Sequence, residues 1–327
     1  MTRILAADVG GTKCLLEVLE LEGTRWKPAM ARRYQSELYP SFESLLREFV
    51  GTAGAVDYGC LAVAGPVVDG RAKVTNLTWE IDAAGLARAF GIRQLLLVND
   101  FYAVAAGVPH LEAADVELLL DRPRNPAGPI AILGAGTGLG EAIVVPERGG
   151  WTVIPSEGGH TDFAPANGVQ DGLLAHLRAR FGHVSWERVV SGMGLVNIFT
   201  YLRDTDPALA TADFSGGTTD SDDLPALIAK KDREGNPLAR ATFDLFLDAY
   251  GAEAGNLALK CLASGGVFLA GGIGAKNAER MRDPRFLAAY GAKGRHSELV
   301  MQWPVHLITN DRVGLIGAAS LAARLGS

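Results

Sequence analysis

The chain opens on an apolar run, Ile4-Leu5-Ala6-Ala7, that ends at Asp8-Val9-Gly10-Gly11-Thr12-Lys13 and resumes at once from Cys14 to Leu21. Both flanks read as strands. The segment after the glycines, Leu15-Leu16-Glu17-Val18-Leu19, is short, mostly apolar and strand-like, whereas a dinucleotide fingerprint or a P-loop would place a helix there. The opening unit is therefore strand, tight turn, strand. Phe42 to Val50 follows with helical spacing of its apolar positions, and Tyr58 to Val63 reads as a buried strand ending at Ala64-Gly65-Pro66. A loop carrying Asn76, Thr78 and Trp79 leads to Asp82, the expected N-cap of a helix through Phe90 that Gly91 stops. Leu95 to Val98 is another buried strand, closed by Asn99-Asp100 ahead of a helical run from Tyr102 to Ala106. Strands alternating with helices predict an α/β layer architecture with polar residues collected at strand ends, where open sheets bind ligands.

Pro123 to Pro129, rich in proline and polar residues, reads as a linker. Beyond it, Ile130 to Leu133, then Gly134-Ala135-Gly136-Thr137-Gly138-Leu139-Gly140, then Glu141 to Val145 repeat the opening pattern of strand, glycine turn and strand. Helices are expected from Gln170 to Phe181 and from Glu187 to Leu202, and an exposed polar loop from Ala210 to Asp223. Two further helices follow, the second starting at Pro237 and running to about Ala263. Gly266 to Ala270 is a strand closed by Gly271-Gly272-Ile273-Gly274, and the small-residue segment Gly314 to Leu325 reads as a closing helix packed on a sheet.

A length of 327 residues accommodates two domains, each with its own core. The net charge of −6 and the scattered basic residues argue against a nucleic-acid partner. Cys14, Cys60 and Cys261 lie far apart without C-x-x-C spacing, which suggests neither a zinc motif nor a disulfide framework and suits a reducing compartment. No run reaches membrane-spanning length and no signal segment opens the chain, so the expected location is cytoplasmic and the Asn76-Leu77-Thr78 sequon carries no meaning.

Gly10 and Gly11 let backbone approach a ligand closely, and their N–H groups form a nest suited to phosphate; Thr12 adds a hydroxyl donor. Asp8 beside a phosphate has one useful role, to hold a magnesium ion directly or through water. Taken alone, the segment is equally well a plain hairpin. The second turn, with Gly136, Thr137 and Gly138, changes that weighting, since two such halves can clamp one nucleotide. Gly271-Gly272 permits approach by a flat group such as adenine or merely closes a turn. Asp100 is the candidate catalytic base, its alternative role being a helix N-cap. Its low basicity is no obstacle, because the proton of an attacking hydroxyl leaves late in a loose phosphoryl transition state. Ser156-Glu157-Gly158-Gly159-His160, with Asn99 and Asp100, offers donors and acceptors for several hydroxyls, a sugar-like demand; the segment is otherwise a turn with a structural histidine. Glu187 is a further candidate or a first-turn glutamate favoured by the helix dipole.

As a whole the pattern resembles the bacterial glucokinases, within the superfamily that also contains hexokinases and heat-shock ATPases. Asp8-Val9-Gly10-Gly11-Thr12 is similar to that family's first phosphate motif, Leu133 to Gly140 to its second, Leu269-Ala270-Gly271-Gly272-Ile273 to its adenosine motif, and Val98-Asn99-Asp100-Phe101 to the segment bearing its base. The resemblance implies an α/β, two-domain actin-like ATPase (ribonuclease H-like) fold with a ligand cleft between the domains, a small domain from 1–109 plus 310–327 and a large one from 110–309. It implies transfer of the γ-phosphoryl group of ATP, with Mg2+, to the 6-hydroxyl of glucose, the sugar held by Asn99, Asp100, Gly138, Glu157, His160 and Glu187. The nucleotide then falls to Asp8, Gly10, Gly11, Thr12, Lys13, Gly136, Thr137, Gly271 and Gly272, and the chain is expected to form a homodimer. Lys13 stands where many close relatives carry asparagine, and it either assists phosphate binding or points to solvent. No cysteine cluster follows His160, which assigns the chain to the zinc-free branch rather than to the repressor and open-reading-frame sugar kinases. The rival readings are a kinase for another hexose, a sugar-sensing regulator without turnover, and an actin-like filament or chaperone ATPase. The chain starting directly on its first strand counts against the regulator, and Glu157 and His160 beside Asp100 count against the last.

Overall fold

A computed structural model describes residues 2–22, 25–210, 214 and 224–326. Most of the polar stretch from Ala210 to Asp223, expected as a loop, lies outside them. The chain divides into two compact units, Met1–Asp115 with Gly149–Val153 and Asn310–Ser327, and Val116–Arg148 with Ile154–Thr309. The first unit thus runs to Asp115, past the expected boundary at 109.

The first unit is built on β1 (Arg3–Val9), β2 (Lys13–Glu22), β3 (Arg25–Gln35), β4 (Tyr58–Val63) and, after the small sheet of β5 (Val67–Val68), β6 (Arg71–Lys73) and β7 (Glu80–Asp82), on β8 (Gln94–Asn99). The main sheet has the order β3-β2-β1-β4-β8. β1 pairs antiparallel with β2 but parallel with β4, and β4 parallel with β8. Alternate residues of β1 serve opposite layers, as a two-residue period demands. Leu5 and Ala7 join Leu45, Leu46 and Phe49 of helix α1 (Phe42–Ala53) and Leu86 of α2 (Ala83–Phe90), while Ile4 and Ala6 meet Ala103, Leu315 and Ala318. Those last residues lie on α3 (Asp100–Gly107) and on the C-terminal helix (Val313–Leu325). Asp82 caps α2 by accepting from Ala84 N–H at 3.1 Å, and Gly91 ends it in the left-handed conformation.

The second sheet carries β9 (Val116–Leu120), β10 (Ile130–Ala135), β11 (Leu139–Glu147), β12 (Gly150–Ser156), β13 (Val267–Ala270) and β14 (Val305–Ile308), in the order β12-β11-β10-β13-β14-β9, and belongs to the second unit except for the start of β12, through Val153, which falls in the first. β10 pairs antiparallel with β11 and parallel with β13, the pattern of β1 with β2 and β4. The helices of the second unit are α4 (Gly168–Phe181), α5 (Gly192–Thr205), α6 (Pro207–Ala210), α7 (Leu224–Arg233), α8 (Pro237–Cys261), α9 (Gly272–Lys276), α10 (Ala278–Met281), α11 (Pro284–Gly291) and α12 (Ser297–Val300). α8 starts with Pro237 behind an Asn236 cap that accepts from Ala239 N–H at 3.1 Å, the arrangement a first-turn proline favours. It is apolar on most of its circumference because it is packed on more than one side: Phe243, Phe246, Tyr250 and Leu257 are buried together with the sheet residues Leu133, Val267 and Leu269 and with Phe286 and Tyr290 of α11.

Two expectations are corrected here. Pro123 to Pro129 is no linker between units; it is bound inside the second unit, with Asn125 N–H donating to Ser264 O at 2.9 Å and Arg124 Nε to Gly265 O at 2.8 Å. Glu187 to Leu202 is not one helix. A 3-10 turn, Trp186–Arg188, precedes α5, and Ser191 starts α5 afresh by accepting from Gly194 N–H at 3.0 Å.

Candidate active site

In the first unit, the β1–β2 turn is tied down by its own backbone. Gly10 N–H donates to Lys13 O at 3.0 Å, and Ser36 fixes the outer side through its N–H to Thr12 O (3.0 Å) and its hydroxyl to Gly10 O (2.8 Å). Gly11 must be glycine because a methyl group there would stand 2.6 Å from Thr75 O. Thr12 and Lys13 are exposed on this turn.

The registers set the ends of three parallel strands side by side, with Asp8 opposite Ala62 and Val63 opposite Asn99. Asp8 is half-buried, and its carboxyl is raised to about 6 by burial and by the charge of Asp100, against a lowering from Lys13. Burial also raises Asp100, opposed by the N–H of Phe101, which donates to Asp100 Oδ1 at 2.8 Å. The expected alternative role of Asp100 as N-cap is taken by Asn99, whose Oδ1 accepts from Phe101 N–H (2.9 Å) and Tyr102 N–H (3.2 Å). Asn99 Nδ2 donates to Gly65 O at 3.2 Å, which locks the strand end to the Gly65-Pro66 turn. Asp100 is consequently the first helical residue, its carboxylate oriented by the N–H of Phe101 and by the Asn99 side chain. The donor set fits a small hard cation: Asp8 alone supplies an anionic oxygen on β1, an arrangement suited to magnesium that keeps most of its waters and takes the rest of its ligands from phosphate.

In the second unit, the β10–β11 turn closes through Gly136 N–H to Gly138 O at 2.8 Å, and Gly136 O accepts from Gly192 N–H at 2.8 Å. Glu187 sits against this turn, its Oε2 accepting from Leu139 N–H at 3.0 Å; a methyl group on Gly138 would run into the same oxygen. The other oxygen of Glu187 lies 3.9 Å from His160 Nδ1, and His160 Nε2 lies 3.8 Å from Glu157 Oε2. These spacings exceed hydrogen bonds, so the three side chains stand as a row of polar groups not bonded to one another. What holds them together is backbone: Thr161 O accepts from Trp186 N–H at 3.0 Å and Val184 O from Phe163 N–H at 2.9 Å, which ties the Glu157–His160 segment to the turn bearing Glu187. Gly159 presses on Leu139 O too closely for any side chain, which fixes the same segment on β11. Gly271 has φ +90° and abuts Ala135 O, so the Gly271-Gly272 turn lies at the end of β10 beside the Gly136 turn.

The candidates therefore fall into two sets. Asp8, Gly10, Gly11, Thr12, Lys13, Asn99 and Asp100 share strand ends in the first unit, while Gly136, Thr137, Gly138, Glu157, His160, Glu187, Gly271 and Gly272 share the end of the β10 region in the second. Two residues went unnoticed in the sequence. Ser191 re-caps α5 so that Gly192 reaches Gly136, and its signal was a Ser-Gly pair inside an apparently helical run. Glu141 is a buried carboxylate behind Gly158, visible in the sequence only as one charge in an apolar strand.

Residues 5–325 match the family model described as Glucokinase. A glucokinase of Nostoc sp. is 40% identical over 342 aligned positions, covering 99% of this chain and 100% of that protein. Among solved structures, a glucokinase from an Antarctic psychrotroph superposes with a TM-score of 0.86 at 30% identity, covering 99% of both chains. A ROK family glucokinase from Streptomyces griseus, in complex with glucose and AMPPNP, superposes at 0.63 with 22% identity over 98% of this chain and 99% of its own, a likeness of fold. The fold is thus the two-domain actin-like ATPase fold of sugar phosphotransferases. More narrowly, this chain belongs to the glucokinase family and is an ATP-dependent hexose kinase.

Proposed function

We propose that the chain transfers the γ-phosphoryl group of ATP to the 6-hydroxyl of glucose, with Asp100 as the base. The observation that carries this reading is the position of Asp100: a half-buried carboxylate directly after β8, where the ends of three parallel strands meet, oriented by the N–H of Phe101 and by the neighbouring Asn99 side chain. Asn99, held to Gly65 and to the first turn of α3, gives Asp100 a fixed bearing. Glu157, His160 and Glu187 hold sugar hydroxyls, with Glu187 itself held by Leu139 N–H; a sugar lacking one of these hydroxyls leaves a polar partner unpaired, which is the source of selectivity. The Gly10-Gly11-Thr12 turn and the Gly136-Thr137-Gly138 turn present N–H and hydroxyl donors to phosphate oxygens, with Lys13 adding charge and Gly271-Gly272 leaving room for the flat base. Asp8 would hold Mg2+ through water, and that ion supplies neutralisation of phosphate charge. As the sugar oxygen attacks phosphorus, its proton passes to Asp100 and the bond to the ADP oxygen breaks, so every charge that develops meets a donor already in place.

Family likeness supports a homodimer. Three free cysteines without a pairing partner, and the absence among the described residues of any helix long and apolar enough to cross a membrane, support a cytoplasmic location. The test is ADP release from ATP and magnesium with glucose, mannose, fructose, N-acetylglucosamine or no sugar, comparing the native chain with Asp100→Asn. Turnover on glucose that falls at least about 100-fold in the variant, with glucose binding retained, is the expected outcome. Equal turnover on several hexoses assigns another acceptor, and glucose binding without ADP release overturns the reaction.

A further inference from the structure

Behind the Glu157–His160 segment lies a pair of carboxyl groups that phosphoryl transfer does not use. Glu141 on β11 is 2% exposed and Glu253 on α8 is 0% exposed. Glu253 lies close enough for its carboxyl to act on that of Glu141. Glu253 is well supplied on its own side, its Oε1 accepting from Lys260 Nζ at 3.1 Å and its Oε2 from Asn256 Nδ2 at 2.8 Å. Asn256 Oδ1 in turn accepts from Lys293 Nζ at 2.7 Å, and the same ammonium donates to Ala252 O at 2.8 Å. Glu141 has no such supply: its Oε1 is buried without a donor among the described residues. Its Oε2 rests on the Cα of Gly158 so closely that a methyl group there would collide with it. Lys260, and Tyr250 one turn before Glu253 on α8, are further titratable groups coupled to Glu141.

Two ionised carboxylates close together inside a low-dielectric core repel, and an acceptor oxygen left without a donor costs the full desolvation of that group. One proton held between the carboxyls removes both penalties, and Lys260 balances the single negative charge that is left. We propose that Glu141 and Glu253 share one proton, and that this pair is the support that positions Gly158, and with it Glu157 and His160, for the sugar. The proposal rests on the reading of Glu157 and His160 as sugar-binding residues.

Burial and the neighbouring Glu253 charge raise Glu141 from the ordinary range to about 7, with Lys260 opposing. Below that pH the proton is in place. Above it the second charge is expelled from Glu253 toward Gly158, where there is no slack, and the segment shifts. Asp100 lies in the other unit, so the effect falls on glucose affinity and not on the chemical step. Because the folded-state pKa is raised above its unfolded value of 4.5, the stability linked to this proton is complete below pH 4.5 and is lost as pH rises through about 7.

The experiment measures glucose KM, kcat and Tm from about pH 6 to about pH 9 for the native chain, Glu141→Gln and Glu253→Gln; a glutamine keeps the shape and the donor of a protonated carboxyl and cannot ionise. The native KM for glucose is expected to climb about tenfold across that interval with kcat changing little, and Tm to fall through the same step. Glu141→Gln is expected to hold the low-pH KM to the alkaline end and to lose the step in Tm. Glu253→Gln, which stays next to Lys260, is the second variant should the first fold poorly, and the same flattening is expected. Native turnover whose KM and Tm follow one pH profile in all three proteins overturns the shared proton. Absence of turnover on glucose at every pH in the native chain overturns the sugar reading instead, and with it the positioning role.

Discussion

At the scale of single residues, the second unit is governed by groups that leave no room and by groups left without partners. Gly138 is of the first kind. An alanine there displaces the Glu187 carboxylate, which then loses the N–H of Leu139 and its bearing on the sugar. Gly138→Ala is therefore expected to raise glucose KM roughly tenfold, the equivalent of one charge-assisted hydrogen bond, while the Tm stays near the native value because the displaced carboxylate can turn to solvent. Steady-state kinetics beside a thermal melt check it; a large fall in Tm with unchanged KM would show Gly138 to be structural. His306 is of the second kind. Its ring stacks on Phe268 with centroids 4.6 Å apart, and both ring nitrogens are buried without a partner among the described residues. Burial, with Arg124 nearby, lowers it to about 4, so the native ring is neutral. A depressed pKa means that stability is whole above the unfolded value of 6.5 and is lost as pH falls through about 4, by up to about 3 kcal/mol. His306→Phe keeps the stack and cannot charge. Urea denaturation at about pH 5 is expected to give the variant the higher midpoint, by a margin that shrinks toward pH 8.

At the scale of elements, much of the site was legible because the glycine turns sit between apolar runs whose period is unmistakable. β1 with β2 and β10 with β11 were recognisable as strand, turn and strand, and Pro237 announced the start of α8. The strands β3, β9, β12 and β14 were not anticipated. β3 is exposed along most of its length, with Arg25, Lys27, Arg32 and Arg33, and exists by pairing with β2, which no local pattern reveals. The break before α5 was hidden by Val189 and Val190, which fit helical spacing but are buried between two separate helical segments. The Glu141 pair was illegible because its partner lies on a helix far along the chain. α3 and the C-terminal helix give a prediction at this scale. Gly107 faces Val313 O and Gly317 faces Ala103 O, each so near that a Cβ would overlap the carbonyl. Gly317→Ala must separate the helices, with an expected loss of about 1–3 kcal/mol. Asp100 opens α3, so kcat is expected to fall with it while glucose KM, which the proposed reading assigns chiefly to Glu157, His160 and Glu187 of the second unit, changes less. A variant as stable and active as the native chain would show that the helix pair has slack.

At the scale of the whole molecule, the proposed base, Asp100, belongs to one compact unit and the proposed sugar-binding carboxylates, Glu157 and Glu187, to the other. Binding and chemistry can thus be separated by ligand linkage, since a ligand that binds the folded chain stabilises it by RT ln(1 + [L]/Kd), about 2.7 kcal/mol at a hundredfold excess over Kd. In the native protein glucose and the magnesium complex of ATP should each raise Tm when added alone, because each has its own set of donors. Asp100→Asn keeps the shape of the strand end and the acceptor for Phe101 N–H, so both shifts should survive while turnover is lost. Glu187→Gln weakens the hold on sugar hydroxyls and loses a charge-assisted bond to Leu139 N–H, so the glucose shift should shrink while the nucleotide shift is kept. Melting curves of the three proteins with each ligand give six shifts, each against the ligand-free melt of the same protein. A glucose shift lost in Asp100→Asn but kept in Glu187→Gln would reverse the assignment, making the first unit the sugar's principal anchor and leaving the row of Glu157, His160 and Glu187 to another role.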